Sequence, residues 1–139
     1  MTGSAWIVDE SRKYVLLTHH AKLNRWLQPG GHADGDENIF NVGLREAMEE
    51  TGIPSFKYIP VGLFDIDIHP IPARGDVPEH DHYDIRILLE APLESRLSIT
   101  DESHDLAWVP LDLVAEKSGG NLSMKRMVRK VRMLFTAEE

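Results

Sequence analysis

The chain has 139 residues, of which 42% are hydrophobic and 27% charged, a composition typical of a single folded domain, here residues 1–139. A net charge of −8 argues against nonspecific binding to nucleic acid, which depends on clustered lysine and arginine. The sequence contains no cysteine, which excludes disulfides, thiolate metal sites and cysteine nucleophiles. Any metal ligand must therefore be an oxygen or a histidine nitrogen.

The sequence also indicates the compartment. No apolar run approaches the roughly 20 residues of a membrane helix, and residues 1–6 lack the basic start of a signal peptide. We therefore expect a cytoplasmic protein that binds no membrane. A phosphorylated ligand would have to be held by local groups or metal ions, because the overall charge repels it.

Two short strands are predicted at residues 4–8 and 13–18, joined by a polar turn at 9–12. A helix follows from Ile39 to Thr51, with Asp36 or Asn38 as its N-cap and Gly52 as its end. Helical spacing predicts that one apolar side of this helix faces the core, namely Phe40, Leu44, Ala47 and Met48.

Extended segments are predicted at residues 58–69 and 82–91, separated by a long loop with three prolines and one glycine. Alternation gives each segment a polar face: Asp65, Asp67 and His69 on the first; His82, Asp84 and Arg86 on the second. We expect these faces to contact a substrate, although an exposed sheet face has the same pattern.

A last strand is predicted at residues 106–110, followed by an amphipathic helix from Ser123 to Phe135. Its predicted inward residues are Met124, Met127, Val128, Val131, Leu134 and Phe135. The opposite face is basic and is interpreted as a solvated exterior, with binding of a partner or ligand as the alternative: Lys125, Arg126, Arg129, Lys130 and Arg132.

The central helix carries three closely placed glutamates. At about 100° per residue, Glu46, Glu49 and Glu50 lie within roughly a 100° sector, where like charges repel one another. Mg²⁺ or Mn²⁺ would relieve this repulsion, since both prefer carboxylate oxygens and share their coordination shell with phosphates. The alternative is a solvated acidic helix face.

The spacing of Gly31, Glu37 and residues 45–53 decides between these interpretations, because it resembles the complete signature of the Nudix family. Similar enzymes also have an aromatic or apolar residue and Pro-Gly before the signature, here residues 26–30, and an acidic loop before a strand with tryptophan after it, here 101–108. The resemblance implies an α/β fold, a Nudix-type α/β/α sandwich around a mixed β-sheet.

The resemblance also implies roles for individual residues. The metal ligands would be the Gly30 carbonyl, Glu46, Glu49, Glu50 and, from the late loop, Glu102. The general base would be Glu46 or Glu49, with Glu102 as a further alternative, and we place Glu46 first. Arg45 would ion-pair with a glutamate of the signature, and the structural positions would be Gly31, Glu37 and Gly52.

The predicted substrate-binding residues are His32, His82, Asp84 and Arg86. His32 follows the two glycines directly, and the other three alternate along one predicted strand. A metal site built on His80 and His82 is the alternative for the histidines, but the spacing supplies no certain third ligand.

The function predicted from the resemblance is metal-dependent hydrolysis of the diphosphate linkage in a small nucleotide-type substrate. Nucleotide sugars, ADP-ribose, dinucleotides and nucleoside triphosphates all fall within the family's range, and the signature does not choose among them. An isopentenyl-diphosphate isomerase is excluded because its resemblance requires a catalytic cysteine. An inactive Nudix-like nucleotide-binding or regulatory domain is the alternative, and a homodimer is left open.

Overall fold

The structure, a computed structural model, describes residues 1–20, 24–99 and 103–136. Its strands are β1 Thr2–Val8, β2 Tyr14–His20, β3 Arg25–Leu27, β4 Gly30–His32, β5 Lys57–Tyr58, β6 Asp65–Ile71, β7 His80–Glu90 and β8 Ser103–Pro110. Its helices are α1 Ile39–Thr51, α2 Val114–Lys117 and α3 Leu122–Thr136, with a 3-10 turn at Leu111–Leu113 before α2. The predicted elements are therefore present in the predicted order.

The described residues form one mixed sheet of eight strands, with β1 near its centre. β1 runs parallel to β7 along its whole length, from Thr2 beside Asp84 to Val8 beside Glu90. On its other side β1 pairs antiparallel with β4 near its start and with β2 near its end. This change of partner opens the sheet between β4 and β2.

Helices cover both faces of the sheet, which confirms the predicted α/β/α sandwich. One core cluster packs α1 through Ala47 against Ala5, Ile7, Leu16 and Ile87. The other packs α3 against the opposite face, with contributions from Trp6, Val8, Leu17, Leu88, Met124, Met127 and Val131. In the described part of the chain, no helix has the length and apolar character that a membrane span requires.

The ends of α1 agree with the prediction. The side chain of Asn38 accepts a hydrogen bond from the Phe40 N–H and so caps the first turn. Gly52 ends the helix in the left-handed conformation, at φ 76°, and its N–H donates to the Met48 carbonyl. Glycine adopts this conformation without a Cβ penalty.

The predicted buried face of α1 is partly wrong. Phe40 and Met48 are 36% and 38% exposed, whereas the residues of α1 that are buried are Val42, Gly43, Ala47, Glu50 and Thr51. The reason is how closely α1 packs on the sheet: a Cβ on Gly43 would lie 3.0 Å from the Ser4 carbonyl oxygen of β1. Because α1 lies so close to β1, the face of the helix that carries its small residues, together with Glu50, is the face that packs on the sheet.

The inward face of α3 is confirmed for Met124, Met127, Val128 and Val131, which are buried, while Phe135 is half-buried. Leu134 was also predicted to point inward, but it is 38% exposed. In this last turn of α3 it is Phe135, and not Leu134, that packs against the core.

Candidate active site

A cleft of about 860 Å³ lies where β1 changes its partner from β2 to β4. On one side it is lined by Glu46 and Glu50 of α1, and on the other by His69 and His82 of the β6–β7 hairpin. It is a wide groove of the kind that binds small molecules.

The floor of the cleft follows from strand register. His32, Thr2, Asp84 and Asp67 are direct neighbours across β4, β1, β7 and β6. The next row on the same face contains Gly30, Ser4, Arg86 and Asp65. The two polar strand faces predicted from alternation are thus one surface, which three strand spacings extend over roughly 14 Å.

Glu50 is held at the edge of this floor. Its residue is only 8% exposed, and its Oε2 accepts a hydrogen bond from the Gly30 N–H at 2.8 Å. A buried carboxylate keeps its charge only when it is hydrogen-bonded or paired, and this bond also ties α1 to β4. The hydrogen bond from Gly30 therefore fixes the carboxylate of Glu50 in the cleft.

Glu46 lies one helical turn before Glu50 and also lines the cleft. A Cβ added to Gly31 would lie 2.5 Å from the Glu46 Cδ, so a side chain at this position would displace the Glu46 carboxylate from where it lies. Glu49, in contrast, is exposed and is not among the described residues that line the cleft. The structure thus brings together two of the three helix glutamates.

The donor set fits a hard divalent cation. Glu46 and Glu50 offer carboxylate oxygens beside the backbone of Gly30 and Gly31, and Mg²⁺ typically uses one or two carboxylates together with water and substrate phosphates. Across residues 1–20, 24–99 and 103–136, no three His, Asp or Glu side chains converge as a preformed metal cage. Glu102, the predicted loop ligand, lies outside the described residues.

Arg45 lies beside Glu46, with its Nη2 3.9 Å from the Glu46 Oε1. Its other contacts are with Asp36, at 3.7 Å, and with the carbonyl of His32. Arg45 thus connects the glutamate helix to the loop that precedes it. Glu37 is exposed, and the side chains that bond the helix start are those of Asp36 and Asn38.

Arg86 and Asp84, two of the predicted substrate-binding residues, line the cleft, and Arg86 is also hydrogen-bonded to carboxylates of the sheet. Its Nε donates to the Asp84 Oδ2 at 2.9 Å and its Nη1 to the Asp65 Oδ2 at 3.1 Å, and its side chain is only 6% exposed. Its Nη2 lies 3.8 Å from Asp67. The guanidinium therefore sits among three carboxylates and organises the floor.

Two basic residues of α3 complete this network. Arg126 donates to both oxygens of Asp65, and Lys130 donates to the Asp65 Oδ1. Burial raises the pKa of Asp65, but the bonds from Arg126 and Lys130 outweigh it and leave the pKa below its ordinary value. The prediction of a solvated basic face is therefore wrong for Arg126 and Lys130, since pairing with a buried aspartate draws them inward.

His82 lines the cleft, and its Nε2 lies 3.1 Å from the hydroxyl oxygen of Thr2. That hydroxyl donates to the Asp84 Oδ1, and the Ser4 hydroxyl donates to its Oδ2. His80 is exposed, and its Nδ1 lies 3.0 Å from the Pro78 carbonyl oxygen. The alternative of a metal on His80 and His82 finds no third ligand in the described residues.

Comparison with known proteins adds three findings. The family model described as the NUDIX domain matches residues 2–131. The m7GpppN-mRNA hydrolase NUDT17 of Homo sapiens is 31% identical over 128 residues, which cover 81% of this chain and 39% of that protein. The asymmetrical bis(5'-nucleosyl)-tetraphosphatase of Rattus norvegicus is 29% identical over 100 residues, covering 72% of this chain and 65% of that one.

The fold has a similar counterpart among solved structures. A binary complex of the C. elegans Ap4A hydrolase superposes with a TM-score of 0.79 at 17% identity, covering 98% of this chain and 97% of the other. At 17% identity this similarity shows the fold alone. The chain spans only about two-fifths of the length of the human relative that it matches.

Proposed function

The chain belongs to the NUDIX domain family, and from this premise we propose that it is a metal-dependent hydrolase of the diphosphate linkage in nucleoside diphosphate derivatives. The observation that carries the proposal is the pair of carboxylates, Glu46 and Glu50, in one cleft beside Gly30 and Gly31. The names of two relatives support it, since a cap hydrolase and a dinucleoside tetraphosphatase both act on phosphate anhydrides attached to nucleosides.

Each residue of the site has a distinct task in this reaction. Bound Mg²⁺ or Mn²⁺ would neutralise the diphosphate oxygens and lower the pKa of the attacking water. Glu50, fixed by the Gly30 N–H, would hold the metal together with the Gly30 carbonyl and Glu46. We propose Glu49 and Glu102 as further ligands; in the structure Glu49 is exposed and is not among the described residues that line the cleft.

We place the general base at Glu46 rather than at Glu49, because Glu46 lines the cleft. It would take the proton of the water as the water oxygen bonds to phosphorus and the anhydride P–O bond breaks. The leaving phosphate keeps the bonding electron pair. Arg45, 3.9 Å away, would hold the carboxylate of Glu46 in its working orientation.

The polar floor would bind the rest of the substrate. His32 is exposed at its β4 edge, and His82, Asp84 and Arg86 line it on β7. Because Arg86 faces three carboxylates, we assign it to the shape and charge of the floor as much as to direct contact.

The proposal is tested by incubating the protein and Mg²⁺ with a panel of nucleotide sugars, ADP-ribose, dinucleotides and nucleoside triphosphates, and by separating the products. We expect at least one substrate to yield two phosphorylated products. Mg²⁺ binding without turnover of any member would instead favour the inactive nucleotide-binding domain.

Metal binding should also stabilise the protein. Glu46 and Glu50 are two acidic residues that line the same cleft, where a bound cation would offset their like charges. A ligand that binds only the folded state adds about 2.7 kcal/mol to the free energy of unfolding at 100 times its Kd. We therefore expect Mg²⁺ or Mn²⁺ to raise the Tm, measured by differential scanning calorimetry. The rise should be much smaller in Glu50→Gln, and an unchanged Tm in the wild type would contradict a metal site here.

Glu102→Gln is expected to lower kcat at least about tenfold, equivalent to roughly 1.4 kcal/mol of transition-state stabilisation, with little change in Tm. The reason is the position of Glu102 in the sequence, in the acidic segment ahead of Trp108, where the resemblance to the family implies an acid that binds metal or activates water. Glu94→Gln, which removes the same charge from an exposed position, is the control. Equal kcat in both variants with saturating Mg²⁺ would remove Glu102 from the site.

A further inference from the structure

We propose that His69 and His82 form a binding site for a phosphate group of the substrate that lies beyond the cleaved linkage. The inference rests on the proposed function, because it assigns the far end of the same cleft. The substrates it favours carry an additional phosphate, as an extended polyphosphate chain or a phosphorylated second moiety does.

The two histidines are brought together by the sheet. They are direct neighbours across β6 and β7, and their ring centroids are 5.1 Å apart at an angle of 49°. Both line the cleft that contains Glu46 and Glu50. β6 is three strand spacings from β4, roughly 14 Å, and β7 is two, roughly 10 Å, so the pair lies towards the opposite end of the cleft from the glutamates beside Gly30 and Gly31.

The hydrogen bonds of His82 determine which of its nitrogens can take up a proton. A hydroxyl has a single proton, and Thr2 donates it to the Asp84 Oδ1 at 2.8 Å. The Thr2 oxygen can therefore only accept from the His82 Nε2, 3.1 Å away, so a neutral His82 carries its proton on Nε2. Protonation at Nδ1 then adds both a positive charge and a new donor.

Three side-chain cations of this region are engaged by carboxylates. Arg86 binds Asp84 and Asp65, and Arg126 and Lys130 bind Asp65. In a chain of net charge −8, an anion in this half of the cleft must be met by local donors, and the histidine pair supplies them.

The charged groups around the pair come from β4, β6, β7, α3 and the N-terminus. His69 lies 3.5 Å from Asp67 on its own strand, and that aspartate is shared with Arg126 and Arg86. The pKa of His82 is lowered by burial, then by the α-amino group of Met1 and by His69 and His32, while Asp84 opposes this. Two protonated histidines in contact repel each other, and a bound anion offsets that repulsion.

A pH dependence follows from this arrangement. Because the pKa of His82 is lowered in the free protein, its ring stays neutral to a lower pH than that of an ordinary histidine, so binding of an anion to the charged ring is coupled to the uptake of a proton. Affinity should therefore rise as the pH falls through the histidine range, by about tenfold per pH unit for each proton taken up.

The test follows histidine ring resonances by NMR in the full chain while sulfate is added, in the presence of a chelator and at constant ionic strength. Sulfate is used because it resembles phosphate but keeps its charge between about pH 5 and pH 8, where histidine titrates. We expect the His69 and His82 resonances to shift, the pKa of His82 to rise on binding, and the affinity to fall at higher pH.

Three variants identify the site. His69→Gln and His82→Gln keep an N–H donor but cannot take up a proton, and each should weaken sulfate binding at low pH by about tenfold. His80→Gln is the matched control, since His80 lies on the same strand, is exposed and does not line the cleft. Unaltered binding in the first two variants, or an equal loss in the control, would overturn the assignment.

The substrate panel separates this inference from the proposed function. Hydrolysis of a panel member without a sulfate response at the pair overturns the phosphate site and leaves the function standing. A sulfate response without hydrolysis supports an anion site at the pair and counts against the function. With both present, His82→Gln should raise KM more for substrates with the additional phosphate than for those without it.

Discussion

Glu50→Gln is expected to lower kcat at least about 100-fold, because it removes a proposed metal ligand and loss of a group that only supports such a ligand already costs about 10- to 100-fold. The substitution keeps the volume of the side chain and an oxygen that can accept from the Gly30 N–H, at 2.8 Å in the wild type. It removes the negative charge that the metal requires. Steady-state kinetics at saturating Mg²⁺, together with circular dichroism, measure the two effects separately.

The matched control is Glu116→Gln, which removes the same charge from an exposed position on α2. It should retain wild-type kcat. Near-normal turnover of Glu50→Gln at saturating Mg²⁺ would show that the buried carboxylate only ties α1 to β4, and the assignment of the metal site would be wrong.

Arg86→Ala is expected to destabilise the fold by about 3 kcal/mol, the lower end of what breaking a buried ion pair costs. Asp84 would lose its cation and keep only the Thr2 and Ser4 hydroxyls, while Asp65 would keep Arg126 and Lys130. The Tm should fall by roughly 10 °C for a chain of this size. Urea unfolding followed by tryptophan fluorescence measures the change in the free energy of unfolding.

Arg129→Ala, which removes the same side chain from the exposed face of α3, is the control and should change stability by less than about 0.5 kcal/mol. Equal stability of the two variants would contradict the role of Arg86 in the floor. At a temperature where Arg86→Ala is folded, a rise in KM larger than the fall in kcat would show that the floor binds substrate.

The sequence predicts α1 and its two ends well, because the information is local. The cap at Asn38, the stop at Gly52 and the spacing of Glu46 and Glu50 all depend on residues within one helix and its ends. Alternation likewise predicts the polar faces of β6 and β7 without knowledge of their pairing.

Other features depend on contacts between distant segments. The close approach of Gly43 to β1 turns Phe40 and Met48 outward, and helical periodicity cannot reveal a neighbouring backbone. The ion pairs of Asp65 with Arg126 and Lys130 join residues that are 61 and 65 positions apart in the sequence. The sequence does show an excess of acidic residues on one strand face and of basic residues on one helix face. It does not show which acidic residue pairs with which basic one.

The most direct test of metal-dependent hydrolysis at this cleft is the turnover of the best panel substrate with Mg²⁺, after chelation, and after Mg²⁺ is restored. We predict that turnover is lost with the chelator and fully restored by the metal in the wild type, and that Glu50→Gln stays inactive throughout. Unchanged turnover in excess chelator would contradict the account.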